Sequence, residues 1–302
     1  MNTYSRLCSR LVLAAATALS ALDACPCSGQ SDEPRLAQRR TRKLAPGVMT
    51  QIPPDLRLEE TVSAHDIVEL VAVDPKFDFA KNLRFRRDIW CLEFSFKPIR
   101  MIWVDIPTAE GHMRRELIWY MVYSVTNRGQ ALHPVKQPNG TFAGERIDIP
   151  VRLIPKFILR SHELGTEYSD CVIPLALGPI IAREDPGPDW MADPAKEFYN
   201  SVTIGKEPIA VGETRWGIAM WQGIDPRIDF FSIYVRGLTN AYHWQDSPET
   251  YTPGKDPIGK GRKFVRKTLK LNFWRPGDEY YEDENEIRYG IPGQVDYEWV
   301  YR

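Results

Sequence analysis

The chain is poor in the residues that most often carry chemistry. It has 5 cysteines and 5 histidines in 302 residues, with no C-x-x-C pair and no cysteine spacing suited to a tetrahedral zinc site. His162 opens the run HELGTEYSD, but Thr166 stands where an H-E-x-x-H helix needs its second histidine. A surface metal site on His162, Glu163, Glu167 and Asp170 is thus set against a plain polar loop, and the loop is expected. The patterns G-x-S-x-G, G-x-G-x-x-G and the P-loop are absent, which removes the local signatures of a nucleophile elbow, a dinucleotide fold and a phosphate cradle. Ser124, Ser201 and Ser232 stand in strand-like or pre-strand contexts with no histidine nearby in sequence. We expect no cofactor, no metal and no catalytic residue.

Two further shortages narrow the partners. Lys and Arg number 39 against 40 Asp and Glu, so no global field draws in nucleic acid, and no nucleic-acid partner is expected. No segment holds the roughly eighteen uninterrupted apolar residues of a membrane-spanning helix.

What is present begins at the N-terminus. Arg6 and Arg10 precede LVLAAATALSAL, an apolar stretch of about twelve residues, the length of a signal-peptide core. Two cleavage positions are open. Ala18-Leu19-Ser20 offers small residues to an ordinary signal peptidase, while Leu22-Asp23-Ala24-Cys25 resembles a bacterial lipoprotein box, with Asp23 outside its preference. In the second case Cys25 carries a lipid; otherwise it is a free or bonded thiol. Either way the protein is expected to be exported, periplasmic or at the cell surface, and tethered to the membrane if lipidated. Export makes a disulfide between Cys91 and Cys171 an open reading, beside two separate buried thiols.

Residues 1–24 are thus read as a signal peptide and 25–60 as a flexible linker, polar and broken by proline. Arg35, Arg39, Arg40, Arg42 and Lys43 form a basic cluster within it, solvated or touching an anionic surface. A short helix is expected from Ser63 to Val71. Beyond it, strand patterns dominate. LEFSFK places Leu92, Phe94 and Phe96 on one face. LIWYMVYSV, from Leu117, is apolar on both faces and reads as a covered central strand, closed by a turn at Asn127-Arg128-Gly129. VRLIPKFILR points Val151, Leu153, Phe157 and Leu159 one way, with Pro155 marking an edge or bulge. WGIAMW adds a strand, FFSIYVRG turns Phe231, Ile233 and Val235 inward, and KTLKLNFW does the same with Leu269, Leu271 and Phe273.

Short strands with little helical periodicity predict an all-β protein, an immunoglobulin-like antiparallel β-sandwich. Pro- and Asp-rich residues 183–197 suggest two packed modules, 61–185 and 186–302, with one larger sandwich as the alternative. The acidic run DEYYEDENE, residues 278–286, lacks the order of a calcium loop and reads as a solvated connection. Among the tryptophans, Trp90 and Trp119 are assigned to the core. Trp274 falls opposite the inward face of its strand, and Trp244 lies at a strand end beside polar residues, so both are candidate ligand-binding side chains for a sugar ring or a protein partner.

The blocks FSFKPIRMIWVDIP, LIWYMVYSVTNRG, IDFFSIYVRGLTNAY and LKLNFWRPGDE resemble uncharacterised exported proteins of planctomycete bacteria. The resemblance implies export and brings no activity. The leading expectation is therefore an exported cell-envelope protein that acts by binding or structure, with an envelope protein or polysaccharide as partner. The alternatives are a carbohydrate-binding module and a secreted hydrolase working through carboxylates.

Overall fold

Period-two alternation decides the layers of this protein. The structure is a computed structural model describing residues 49–63, 85–107, 111–184, 198–245, 255, 260–261, 263–276 and 287–302. The expected leader, Cys25, the expected linker up to residue 48 with its basic cluster, the helix expected from Ser63 to Val71 beyond its first residue, the segment 185–197 and the acidic run all lie outside the described residues. So do residues 246–250. Residues 49–60 of the expected linker are instead built into the fold: Ile52 is buried in the core and Glu60 is held by Lys267, contacts that a flexible tether would not make. Ser63 itself is in a strand.

In chain order the strands are β1 (Thr50–Ile52), β2 (Val62–Ser63), β3 (Phe85–Arg86), β4 (Glu93–Phe96), β5 (Arg100–Pro107), β6 (Met113–Thr126), β7 (Ala131–Lys136) and β8 (Phe142–Ile147). A single turn of 3-10 helix, Leu58–Thr61, precedes β2. Next come β9 (Lys156–Ser161), β10 (Glu167–Ser169), helix α1 (Pro174–Glu184), β11 (Phe198–Tyr199), β12 (Thr214–Trp221) and β13 (Phe230–Arg236). The last are β14 (Tyr242–Gln245), β15 (Lys263–Trp274), β16 (Arg288–Tyr289) and β17 (Tyr297–Tyr301).

Two large sheets result. The first runs β1-β4-β6-β12-β11, with β5 also paired to β6. The second runs β10-β9-β13-β15-β14, with β16 and β17 also on β15. All these pairings are antiparallel except β11 with β12. Leu269 pairs with both Val235 and Trp299, so β15 is an interior strand. Two further antiparallel pairs, β2-β3 and β7-β8, complete the set.

The inward stripes read from the sequence meet face to face. Phe94, Phe96, Trp119, Met121 and Tyr123 of the first sheet share one core with Phe157, Leu159, Phe231, Ile233, Val235, Leu269, Leu271 and Phe273 of the second. Rings cross the gap: Phe94 meets Phe157, Phe96 meets Phe273 edge-on at 5.9 Å, and Trp119 meets Phe231 at 5.5 Å. Each such side chain contributes about 1.5–3 kcal/mol by leaving water. Trp90 is half-buried and packs against the same core.

β6 is buried on both faces, as its apolar run requires. Its odd residues face the core. Ile118, Tyr120 and Val122 face the other way, joining Ile218 and Met220 of β12 under Ala176 and Ile180 of α1. The sequence reading missed this helix, because Gly178 and Pro179 interrupt it. Pro174 stands in its first turn, where a missing N–H costs nothing, and Pro179 lies on the exposed side. Glu184 ends the helix and is buried. It accepts hydrogen bonds from Lys97 Nζ (3.3 Å), Arg100 Nη1 (2.9 Å) and the Tyr120 hydroxyl (2.8 Å).

The boundary near residue 186 does not divide two cores. β4, β5 and β6 share a sheet with β11 and β12, while β9 and β10 share one with β13 and β15. All described residues fall in one compact unit, Thr41–Arg302. Residues 61–185 and 186–302 are interleaved, in place of the two modules expected, because strand pairing follows register rather than chain order. Among the described residues no helix is long and apolar enough to cross a membrane.

Candidate ligand-binding cleft

A surface cleft of about 460 Å³ opens where β13 hands over to β14. At Gly237 the backbone turns with φ +90°, and a Cβ there would run into the Ile154 carbonyl. The loop that follows is laced to the segment before β4. Leu92 N–H donates to the Leu238 carbonyl (2.7 Å), and Trp90 N–H donates to Asn240 Oδ1 (3.0 Å). Asn240 Nδ2 donates in turn to the Asp88 carbonyl (2.9 Å). Thr239 Oγ1 accepts from the Ala241 N–H at 3.2 Å. Both polar groups of the loop are therefore engaged by backbone.

The walls are aromatic and cationic. Tyr242 and Phe264 meet edge-to-face with ring centres 5.8 Å apart. Arg87 lays its guanidinium 3.9 Å above the Tyr242 ring and donates from Nη2 to the Asn240 carbonyl at 2.7 Å. Arg266 is the direct cross-strand partner of Tyr242, which sets their Cβ atoms about 5 Å apart. Arg87 lies over that ring and Arg266 lines the same cleft. Phe264 is 46% exposed and presents apolar surface to an incoming ligand.

Behind the cleft, Lys267 points the other way along β15. Its ammonium is buried against Glu60 (2.6 Å) and Asp55 (2.9 Å), and the Tyr301 hydroxyl donates to Glu60 at 2.6 Å. Burial alone would raise the Asp55 carboxyl, but the hydrogen bond and charge of Lys267 hold it below the ordinary value. This network ties the 3-10 turn to β15 and β17.

No known family matches. Neither the search of curated proteins nor that of solved structures returned a match. The chemistry of the cleft carries the reading by itself.

The two tryptophans singled out from the sequence fare differently. Position 244 pairs with Phe264, so the backbone of β14 brings Trp244 to the border of the cleft; its side chain lies outside the described ones. Trp274 is half-buried on the face opposite the core. It stacks beside Phe230 at 6.5 Å, and the Arg288 guanidinium lies 4.9 Å over its ring. One face of the Trp274 ring thus carries Arg288, as one face of Tyr242 carries Arg87. Arg87, Tyr242, Phe264 and Arg266 were missed. The strand around Trp244 was the available signal.

Cys91 and Cys171 are both free thiols, contrary to the disulfide considered above. Cys91 bridges to Thr239 beside the cleft, whereas Cys171 bridges to Met220 on the side covered by α1. Burial pushes the Cys91 thiol up to about 12.

The His162 loop holds no metal cluster among the described residues. Glu163 accepts from Phe230 N–H (2.7 Å), Glu167 from Arg302 (2.6 Å) and Asp170 from Phe157 N–H (3.1 Å). Folding does bring a histidine to Ser232: His162 Nε2 lies 2.7 Å from its Oγ. The polarity is wrong for activating a nucleophile. Asn272 donates to the Val295 carbonyl, so its Oδ1 accepts from the Ser232 hydroxyl at 2.7 Å. Ser232 must then accept from His162 Nε2–H, and Ser232 is fully buried. The trio clamps a turn.

Proposed function

We propose that this protein acts by binding rather than catalysis, through the cleft of Arg87, Tyr242, Phe264 and Arg266, as an exported protein of the cell envelope. The observation that carries the reading is the make-up of the cleft. It gathers aromatic surface and guanidinium donors, and its described lining includes no carboxylate, serine or cysteine. Two buried carboxylates that a hydrolase could draw on are committed to cations and tyrosines. Glu60 is held by Lys267 and Tyr301, and Glu184 by Lys97, Arg100 and Tyr120.

Among ligands we favour a carbohydrate. The exposed Phe264 ring beside Tyr242 offers an apolar patch of the size of a sugar face, with polar donors at its edge. The leader, the Cys25 box and the resemblance to exported planctomycete proteins support the location. An immunoglobulin-like class is the finer architectural proposal, supported by two mainly antiparallel sheets around one core.

Affinity electrophoresis through gels cast with single polysaccharides tests the binding claim. We expect retardation by at least one polymer, lost in Tyr242→Ala and Phe264→Ala. Free migration in every gel refutes it. The intact mass of the protein from its host tests the location. A chain beginning at Cys25 with a lipid-sized excess makes it membrane-tethered, and one beginning near Ala21 without that excess makes it free.

A further inference from the structure

We propose that Asn139 is a self-modifying site: attack by the Gly140 nitrogen, assisted by Thr141, expels its side-chain amide and leaves aspartate or isoaspartate. Asn139 is the only asparagine in the chain that glycine follows. The fold demands that glycine. Gln137-Pro138-Asn139-Gly140 turns β7 into β8, closed by Gly140 N–H donating to the Gln137 carbonyl (2.9 Å) and Gln137 N–H to the Thr141 carbonyl (2.8 Å). Gly140 sits at φ +81°, where a side chain is strained. The residue the turn requires is also the one whose nitrogen, with no Cβ beside it, is most open to an adjacent carboxamide.

Two donors prepare the Asn139 carbonyl. Its Oδ1 accepts from the Thr141 N–H (3.0 Å) and from the Thr141 hydroxyl (2.6 Å). The oxygen that gains charge under attack thus already faces hydrogen-bond donors. Both contacts span two residues, so they need not break when the exposed turn opens and frees the Gly140 N–H, a fast motion beside chemistry that takes days. Nδ2, the leaving group, has no partner among the described residues. The other described asparagines each lack a requirement. Asn127, Asn240 and Asn272 have Nδ2 tied to backbone carbonyls. Asn200 Oδ1 also accepts two N–H groups, but Ser201 follows it. In the reaction the Gly140 nitrogen gives up its proton and bonds to Cγ. The Cγ–Nδ2 bond breaks, and ammonia departs with that proton, leaving a five-membered succinimide. Water, the one co-reactant, then opens the ring, at Cγ to aspartate or at the backbone carbonyl to isoaspartate.

The test is peptide mapping of the whole folded protein during days at mildly alkaline pH, with isoaspartyl methyltransferase labelling as a second readout. We expect the peptide holding Asn139 to gain the mass of an NH2-to-OH exchange, faster as pH rises. Peptides holding Asn127, Asn200, Asn240 and Asn272 should keep their masses. Thr141 is exposed, so its variants keep the fold, which thermal melts verify. Thr141→Ala, which removes one donor, should slow the gain about threefold or more, and Thr141→Ser should not. No gain at Asn139 in the folded protein overturns the proposal, and so does a gain at the same rate in Thr141→Ala.

Discussion

The Lys267 ammonium lies 2.6 Å from the Glu60 carboxylate, with both side chains shut off from solvent and 207 positions between them in the chain. Tyr301 and Asp55 complete the shell. Removing one member leaves an uncompensated buried charge. Lys267→Ala or Glu60→Ala should each lower unfolding free energy by about 3–5 kcal/mol, and Lys267→Met with Glu60→Leu together should recover much of it. Urea titrations of the three variants decide this. Additive losses in the double variant would show that the two groups do not act as a pair.

Acid sensitivity follows from His162. Burial, then the Lys270 charge, lowers its pKa below the ordinary 6.5. The unfolded chain therefore binds a proton that the folded one refuses. Stability is fully present above pH 6.5 and falls as pH drops from there to the lowered folded value. Glutamine retains an N–H for Ser232, so His162→Gln should flatten the dependence in that window. Asp55 adds a second loss below 3.8, where its depressed carboxyl takes up a proton. Urea midpoints across the pH range, with Asp55→Asn as the second control, check both windows. Curves of unchanged shape in His162→Gln would refute the first.

Gly217 of β12 sits directly across from Tyr123 of β6, and a Cβ on it would collide with the Tyr123 ring. Gly217→Ala should cost about 1–3 kcal/mol by overpacking. The Tyr123 hydroxyl is buried and has no hydrogen-bond partner among the described residues, so Tyr123→Phe should be neutral or stabilise by about 1 kcal/mol. Thermal melts that rank the two variants the other way would contradict this packing.

Cys91 should resist alkylation. Its thiol, pushed up to about 12 by burial, is almost wholly protonated at pH 8, and the thiolate is the reactive form. Iodoacetamide followed by peptide mapping should find Cys91 unmodified in the native protein and modified in urea. A cross-linked Cys91–Cys171 peptide would instead restore the disulfide.

The sequence reading succeeded where structure is local and periodic. Phe231, Ile233 and Val235, like Leu269, Leu271 and Phe273, alternate so cleanly that their burial follows from strand geometry. The two-sided apolar run at Ile118 to Val125 likewise announced a covered strand. It failed where the information is long-range. The buried stripe of Ala176, Ile180 and Glu184 has helical spacing, but Pro179 concealed it. His162 and Ser232 lie 70 positions apart, so their contact left no local trace. The cleft draws Arg87, Asn240 and Arg266 from three separate segments. Only its strand, flagged through Trp244, was visible in advance.

The interleaving of the two halves bears on how the chain comes into being. Thr126 at the end of β6 waits 88 positions for its partner Thr214 on β12, and β15 is not closed until β17 has been made. A ribosome delivering this chain never releases a finished domain partway through. The core face of β6 waits for β13 and β15, so it stays incomplete well into the second half of the chain. A core closed only by its second half leaves the first half open to chaperones and proteases for much of its synthesis.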